Sequence, residues 1–236
     1  MIKKTAYILL ISILFSCEKE EIPISPNPIS EELLTKQIEL GNDYKYQCFY
    51  DLGTNSIISQ NLKTEWDIAF ESTYNGYHIL INSSTFSGLA YIENQSFFDT
   101  VSTENISWKW DNPNGNLDST AFGDCREKSG FFILDLGYNI NSVKRGYKKI
   151  TIDTIRSDYY HITYSNLDNT EYNSVRVYKD PTVNFISFSL IQNNTVNIQP
   201  SKDSWDLIFS QYTHLFNNAD VPSYLVTGIL SNFNVE

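Results

Sequence analysis

Three histidines, His78, His161 and His214, are the side chains in this chain best suited to hold a metal ion. An unprotonated imidazole nitrogen is a strong ligand for iron and other transition metals, and it is available near neutral pH. Methionine does not compete, because the only one is Met1. The three settings differ. His161 stands between Tyr160 and Ile162 in an alternating run and reads as a strand-face residue. His78 follows Asn75-Gly76-Tyr77 and opens the apolar run Ile79-Leu80-Ile81, so it sits where a turn meets a strand. His214 precedes the polar stretch Asn217-Asn218-Ala219-Asp220, and loops on a rigid scaffold often carry function. His78 and His214 follow Trp66 and Trp205 by 12 and 9 residues and form the favoured pair. Tyr74, Tyr77, Phe86, Tyr212, Phe216 and Tyr224 gather around the same two segments. They read equally as rings stacking on a flat ligand or as ordinary core closing the ends of a β-domain.

Other chemistry finds little support. The sequence has no Gly-x-Ser-x-Gly elbow, no Gly-rich phosphate loop, no His-Glu-x-x-His and no Cys-x-x-Cys, so it is not read as an enzyme. Glu65, Asp67 and Asp206 are the candidates for a hydrolytic carboxylate pair, but they read more simply as polar strand positions. In Asp111-Asn112-Pro113-Asn114-Gly115-Asn116-Leu117-Asp118 the acidic and amide positions miss the register of a calcium loop, which leaves a turn. The formal charge is −11, and removing Lys3 and Lys4 with an export signal takes it to −13. Such a polyanion is repelled by nucleic acid and by anionic membrane surfaces.

The N-terminus sets the compartment. Met1-Ile2-Lys3-Lys4 precedes an apolar run, Ala6–Phe15, which is too short to cross a bilayer and has the layout of a secretory signal. Leu14-Phe15-Ser16-Cys17 matches a lipobox, so residues 1–16 are expected to be removed and Cys17 to carry a lipid. Glu18-Lys19-Glu20-Glu21 resembles the tag that brings some lipoproteins to the surface of Gram-negative bacteria. The expected location is therefore the outer membrane, anchored by lipid alone and facing outward. Proline-rich residues 17–31 read as a tether, and residues 32–236 as one domain. Two further cysteines, Cys48 and Cys125, could pair or remain separate thiols.

The elements that must position these residues are mostly strands. Tyr, Phe, Ile, Thr, Ser and Asn dominate, which favours sheet and turn over helix. Tyr160, Ile162 and Tyr164 alternate with Tyr159, His161 and Thr163, and Val175–Tyr178 and Phe185–Leu190 read as further strands. Asp51–Asn55, Asn114-Gly115, Asp168-Asn169 and Asn193-Asn194 supply the turns. The expected fold is an all-β, antiparallel single domain, with a short helix at its start over Ser30–Leu40. Trp66-Asp67-Ile68-Ala69-Phe70 recurs as Trp205-Asp206-Leu207-Ile208-Phe209, each with a lysine three residues before the Trp (Lys63, Lys202). That repeat implies two related β-units around a shared core.

These two strands, the segment Gln199–Leu207, Gln211-Tyr212-Thr213, the ending Tyr224–Leu230, and the middle segments Gly146–Ile150 and Tyr160–Tyr164 together resemble the HmuY-like family of haem-binding lipoproteins. The likeness runs from about Lys36 to Asn232. It implies an all-β fold that holds haem, or a related porphyrin, between loops at one end and delivers it to an outer-membrane transporter without chemistry on it. It also implies axial side-chain ligands on the iron, for which His78 and His214 are the candidates, with Tyr74, Tyr77, Tyr212 and Phe216 as stacking residues. The alternative is an adhesion or glycan- or protein-binding β-module that has lost the haem ligands.

Overall fold

A computed structural model describes residues 35–216 and 221–233. The expected export segment, Cys17 and the whole tether lie outside the described residues. In chain order the strands are β1 (Tyr46–Asp51), β2 (Ser56–Leu62), β3 (Ile68–Glu71), β4 (Ile79–Ile81), β5 (Gly88–Ile92), β6 (Phe131–Asp135), β7 (Tyr147–Ile155), β8 (Tyr159–Ser165), β9 (Asn173–Tyr178), β10 (Phe185–Ser189), β11 (Asn194–Val196), β12 (Leu207–Leu215) and β13 (Ser223–Ser231). Every pairing is antiparallel. The first sheet has the order β13-β12-β1-β2, the middle sheet β11-β10-β3-β4 and the third β5-β6-β7-β8-β9.

The period-two runs become strands as expected. Tyr160, Ile162 and Tyr164 on β8 are fully buried, while Tyr159 and His161 are only partly so. The turns form where asparagine tolerates a left-handed backbone, with positive φ at Asn55, Asn169 and Asn193. The expected helix is not seen where the structure describes it. Residues 35–41 carry no helical turn. Glu39 instead offers its carbonyl to Gln60 Nε2 at 3.4 Å and to Cys48 Sγ at 3.8 Å, so contacts with β1 and β2 override the local apolar spacing. Cys48 and Cys125 are separate buried thiols, and burial pushes Cys125 up to about 11.

The middle sheet is covered on both faces. Ile68, Phe70, Ile79 and Phe188 pack against Phe132, Leu134, Ile150, Tyr160 and Ile162 of the third sheet in the main core. A smaller cluster of Phe49, Ile198 and Trp205, flanked by Trp66 and Ile208, joins the middle sheet to the first.

The sequence repeat is a structural repeat. The Asp67 N–H donates to Phe188 O (2.9 Å), and the Leu190 N–H returns to Asp67 Oδ2 (2.7 Å). Likewise the Asp206 N–H donates to Tyr50 O (2.8 Å), and the Leu52 N–H returns to Asp206 Oδ2 (2.7 Å). Beyond each Trp-Asp strand an asparagine clamps the turn that leads into it. Asn82 donates its backbone N–H to Asp67 O and its side-chain amide to Lys63 O and Trp66 O. Asn232 does the same to Asp206 O, Lys202 O and Trp205 O. β10-β3-β4 and β1-β12-β13 are thus the two related units. They differ in that Asp67, fully buried, also meets Arg145 Nη2 at 2.6 Å, a charge contact not aligned as a hydrogen bond.

Candidate functional site

The loop from Glu71 to His78 builds the best-defined polar site. The Glu71 N–H donates to His78 O at 2.9 Å and closes the β3–β4 hairpin; the Gly76 N–H donates to Thr73 O at 3.0 Å within it. Gly76 has no room for a side chain, because a Cβ there would lie 2.7 Å from both Glu71 Cδ and Thr73 Oγ1. The compact loop turns the Glu71 carboxylate inward. It accepts from Thr73 Oγ1 (2.8 Å), from the backbone N–H of Tyr77 and His78, and lies 2.6 Å from His78 Nδ1. Burial pushes the Glu71 carboxyl up, but the hydrogen bonds from His78 and Thr73 outweigh it and hold the group below the usual range.

A carboxylate only accepts, so His78 Nδ1 carries a proton toward Glu71. Nε2 lies 3.3 Å from Asp118 Oδ1, whose side chain is 78% exposed against 13% for His78. The His78 ring thus stands between two carboxylates, Glu71 at Nδ1 and Asp118 at Nε2. Tyr77 stacks on the His78 ring at 4.0 Å, and the Arg126 guanidinium lies 3.7 Å from the centre of the Tyr77 ring. Asp124 accepts two hydrogen bonds from the Arg126 guanidinium, at 2.8 and 2.5 Å, and one from its backbone N–H at 3.1 Å. Next to this stack opens a groove of 580 Å³ lined by Tyr74, Tyr77, Arg126 and the β7–β8 turn with Arg156.

The other predicted residues lie elsewhere. His214 is on β12 opposite Tyr224, edge-on to Phe216 at 4.9 Å, and Tyr212 faces Val226 on the same strand pair. His78 and His214 follow equivalent tryptophans, but they stand on different sheets, and no contact joins the pair among the described residues. The four predicted stacking residues split in the same way, Tyr74 and Tyr77 in the groove and Tyr212 and Phe216 on the first sheet. His161 is on β8, with Nε2 3.0 Å from Ser174 Oγ and Nδ1 3.7 Å from Asp153. Among the described residues no group of three or more His, Cys, Asp or Glu has the geometry to hold a bare metal ion. The Asp111–Asp118 segment is a turn as expected: Asn112, Asn114 and Asn116 each accept from the backbone N–H two residues on. Arg126, Arg156 and Asp118 were not foreseen, since nothing in their spacing ties them to His78.

A family model described as HmuY protein matches residues 43–184. The chain belongs to the HmuY family. No curated protein and no solved structure matches it. The segment matched within this HmuY-family chain contains the first Trp-Asp strand, His78, His161 and every lining residue of the Arg126 groove. His214, Tyr212 and Phe216 lie beyond it. Among the described residues no helix is long and apolar enough to cross a membrane.

Proposed function

We propose that this HmuY-family protein is a lipid-anchored, surface-exposed binder of haem that passes its ligand to an outer-membrane transporter, with His78 as an axial ligand. The observation that carries the reading is the setting of His78, whose Nδ1 is held by Glu71 and whose ring stacks on Tyr77, a wall residue of the groove that also holds Arg126 and Arg156. The iron of haem takes an imidazole nitrogen as axial ligand. The surrounding residues fit the rest of such a ligand. Tyr74 offers a ring face, whereas the Tyr77 ring is already covered by His78 and Arg126, and Arg126 and Arg156 offer cations to its propionates in an otherwise acidic protein. Asp118 is exposed and can swing away from Nε2. Cys17 is the proposed lipid attachment site, and His214 remains the candidate for a second ligand.

The test is a haemin titration followed by absorbance, with His78→Ala, His214→Ala and Arg126→Ala alongside. One-to-one binding that weakens in His78→Ala supports the reading, and weakening in His214→Ala makes it the second ligand. Binding unchanged in His78→Ala removes His78 from the site. A second reading, a glycan-binding surface, draws on ring pairs on and beside the third sheet. Tyr159 and Tyr178 lie 6.0 Å apart with Arg176 over Tyr159, and Phe98 stacks on Tyr172. It gains ground if the intact protein binds no haemin.

A further inference from the structure

The interface between the first and middle sheets is incompletely filled. Protein interiors are close-packed, with few voids larger than a water molecule. Here a cleft of 380 Å³ runs between the two sheets, at the lower end of the range for small-molecule sites. Its origin lies in the residue sizes. The middle sheet contributes Ala69 and Ser187, and the first contributes Ser210, where the main core has Ile and Phe. Larger groups stand around these gaps, among them Trp66, Trp205, Phe49 and Ile208. The floor cannot easily relax into the space, because Gln47 is fixed from four directions. Its amide donates to Ser84 Oγ (2.7 Å) and Ser210 Oγ (3.0 Å), and its carbonyl accepts from Asn61 Nδ2 (3.1 Å) and Trp66 Nε1 (2.9 Å).

Two polar features of the wall point to the ligand's chemistry. Trp205 is buried, and its indole N–H finds no partner, although the equivalent Trp66 N–H is bonded. A buried donor left unpaired is a standing cost that an acceptor would remove. Asp111 is the only charged side chain in the lining, and both of its oxygens are already taken by the backbone N–H of Ile81 and Ala121. No Lys, Arg or His faces the cleft. An anion there would be desolvated without a counter-charge, which excludes a ligand carrying propionates. A cation would find its one possible partner already engaged.

We propose that this cleft is a second binding site, separate from the His78 groove, for an uncharged and largely apolar small molecule carrying a hydrogen-bond acceptor. The site lies between the two repeat units, with both repeat tryptophans in its wall. The test titrates the purified full chain with 6-propionyl-2-(dimethylamino)naphthalene, a neutral apolar fluorophore with one carbonyl acceptor whose emission shifts to the blue in an apolar site. The expected result is saturable one-to-one binding that haemin does not compete with. Trp205→Phe keeps the ring and removes the donor, and it is expected to weaken binding several-fold. Ile229→Trp narrows the cleft from the half-exposed edge strand β13 and is expected to weaken it at least tenfold, with melting temperature and haemin titration unchanged. Absence of saturable binding, or equal affinity in both variants, overturns the proposal. Displacement of the probe by one equivalent of haemin also overturns it, since the cleft would then be part of the porphyrin site.

Discussion

Arg145→Met tests whether the Asp67–Arg145 contact holds the middle sheet in place. Asp67 is fully buried and Arg145 is 7% exposed. Asp67 is otherwise satisfied mainly by the Leu190 N–H, and Arg145 also donates to Leu136 O and Thr64 O at 3.2 Å each. Removing the guanidinium leaves a carboxylate in the interior without its counter-charge, a change that costs about 3–5 kcal/mol. For a domain of this size that corresponds to a melting temperature lower by roughly 6–20 °C. Asp67→Asn placed on top of Arg145→Met removes the stranded charge and keeps an acceptor for Leu190. The double variant is therefore expected to regain about 1–3 kcal/mol over the single one. Urea unfolding followed by tryptophan fluorescence measures both. A loss below about 1 kcal/mol in Arg145→Met, or no recovery in the double variant, would refute the claim that a paired buried charge is what the site contains.

The two asparagine clamps predict matched losses. Asn82→Ala and Asn232→Ala each strand two buried carbonyls, at a cost of about 2–4 kcal/mol by urea unfolding, and a neutral result in either breaks the equivalence of the units. Asp111 predicts a pH dependence. Burial pushes its carboxyl from 3.8 to about 7, against the backbone hydrogen bonds from Ala121 and Ile81 that pull it down. A group raised on folding contributes stability that is present below the unfolded pKa and is lost as pH rises through the folded one. Relative to Asp111→Asn, the wild type should therefore lose about 2–3 kcal/mol between pH 5 and pH 8, and a constant difference contradicts this. Glu71→Gln removes the carboxylate that orients His78 and should weaken haemin binding about 10–100-fold while leaving the melting temperature close to wild type. Equal affinity would mean that Glu71 does not position the ligand.

Strand identity was legible wherever one face is buried, as the period-two run of Tyr160, Ile162 and Tyr164 illustrates. The Trp-Asp repeat was legible too, because its residues are contiguous. The asparagines that complete it were not, since Asn82 and Asn232 lie 16 and 27 residues beyond their tryptophans and no fixed spacing marks them. Asp67 read as an outward polar strand position and is instead fully buried, because its partner Arg145 comes from a distant segment with no local signal. The Ser30–Leu40 helix failed, where it is described, for a similar reason: Glu39 bonds to Cys48 and Gln60, and tertiary contacts outweigh an apolar spacing of a few residues. For the candidate site, His78 was legible as a histidine where a turn meets a strand. Its pairing with His214 assumed that equivalent positions in the repeat meet in space. The two histidines stand on different sheets, and no contact joins them among the described residues.

The first sheet is made from the two ends of the domain. β1 pairs with β12, Cys48 opposite Phe209, and β13 closes the outside. Until residues 207–231 are available, β1 has a bare edge of backbone donors and acceptors, an open template for pairing with other chains. A protein exported as an extended chain would meet this hazard on emergence, since its first strand waits for its last. A fragment ending at residue 184, where the family match stops, would lose β12 as the partner of β1 and also β10 as the partner of β3. Such a fragment should self-associate, and the full chain should not.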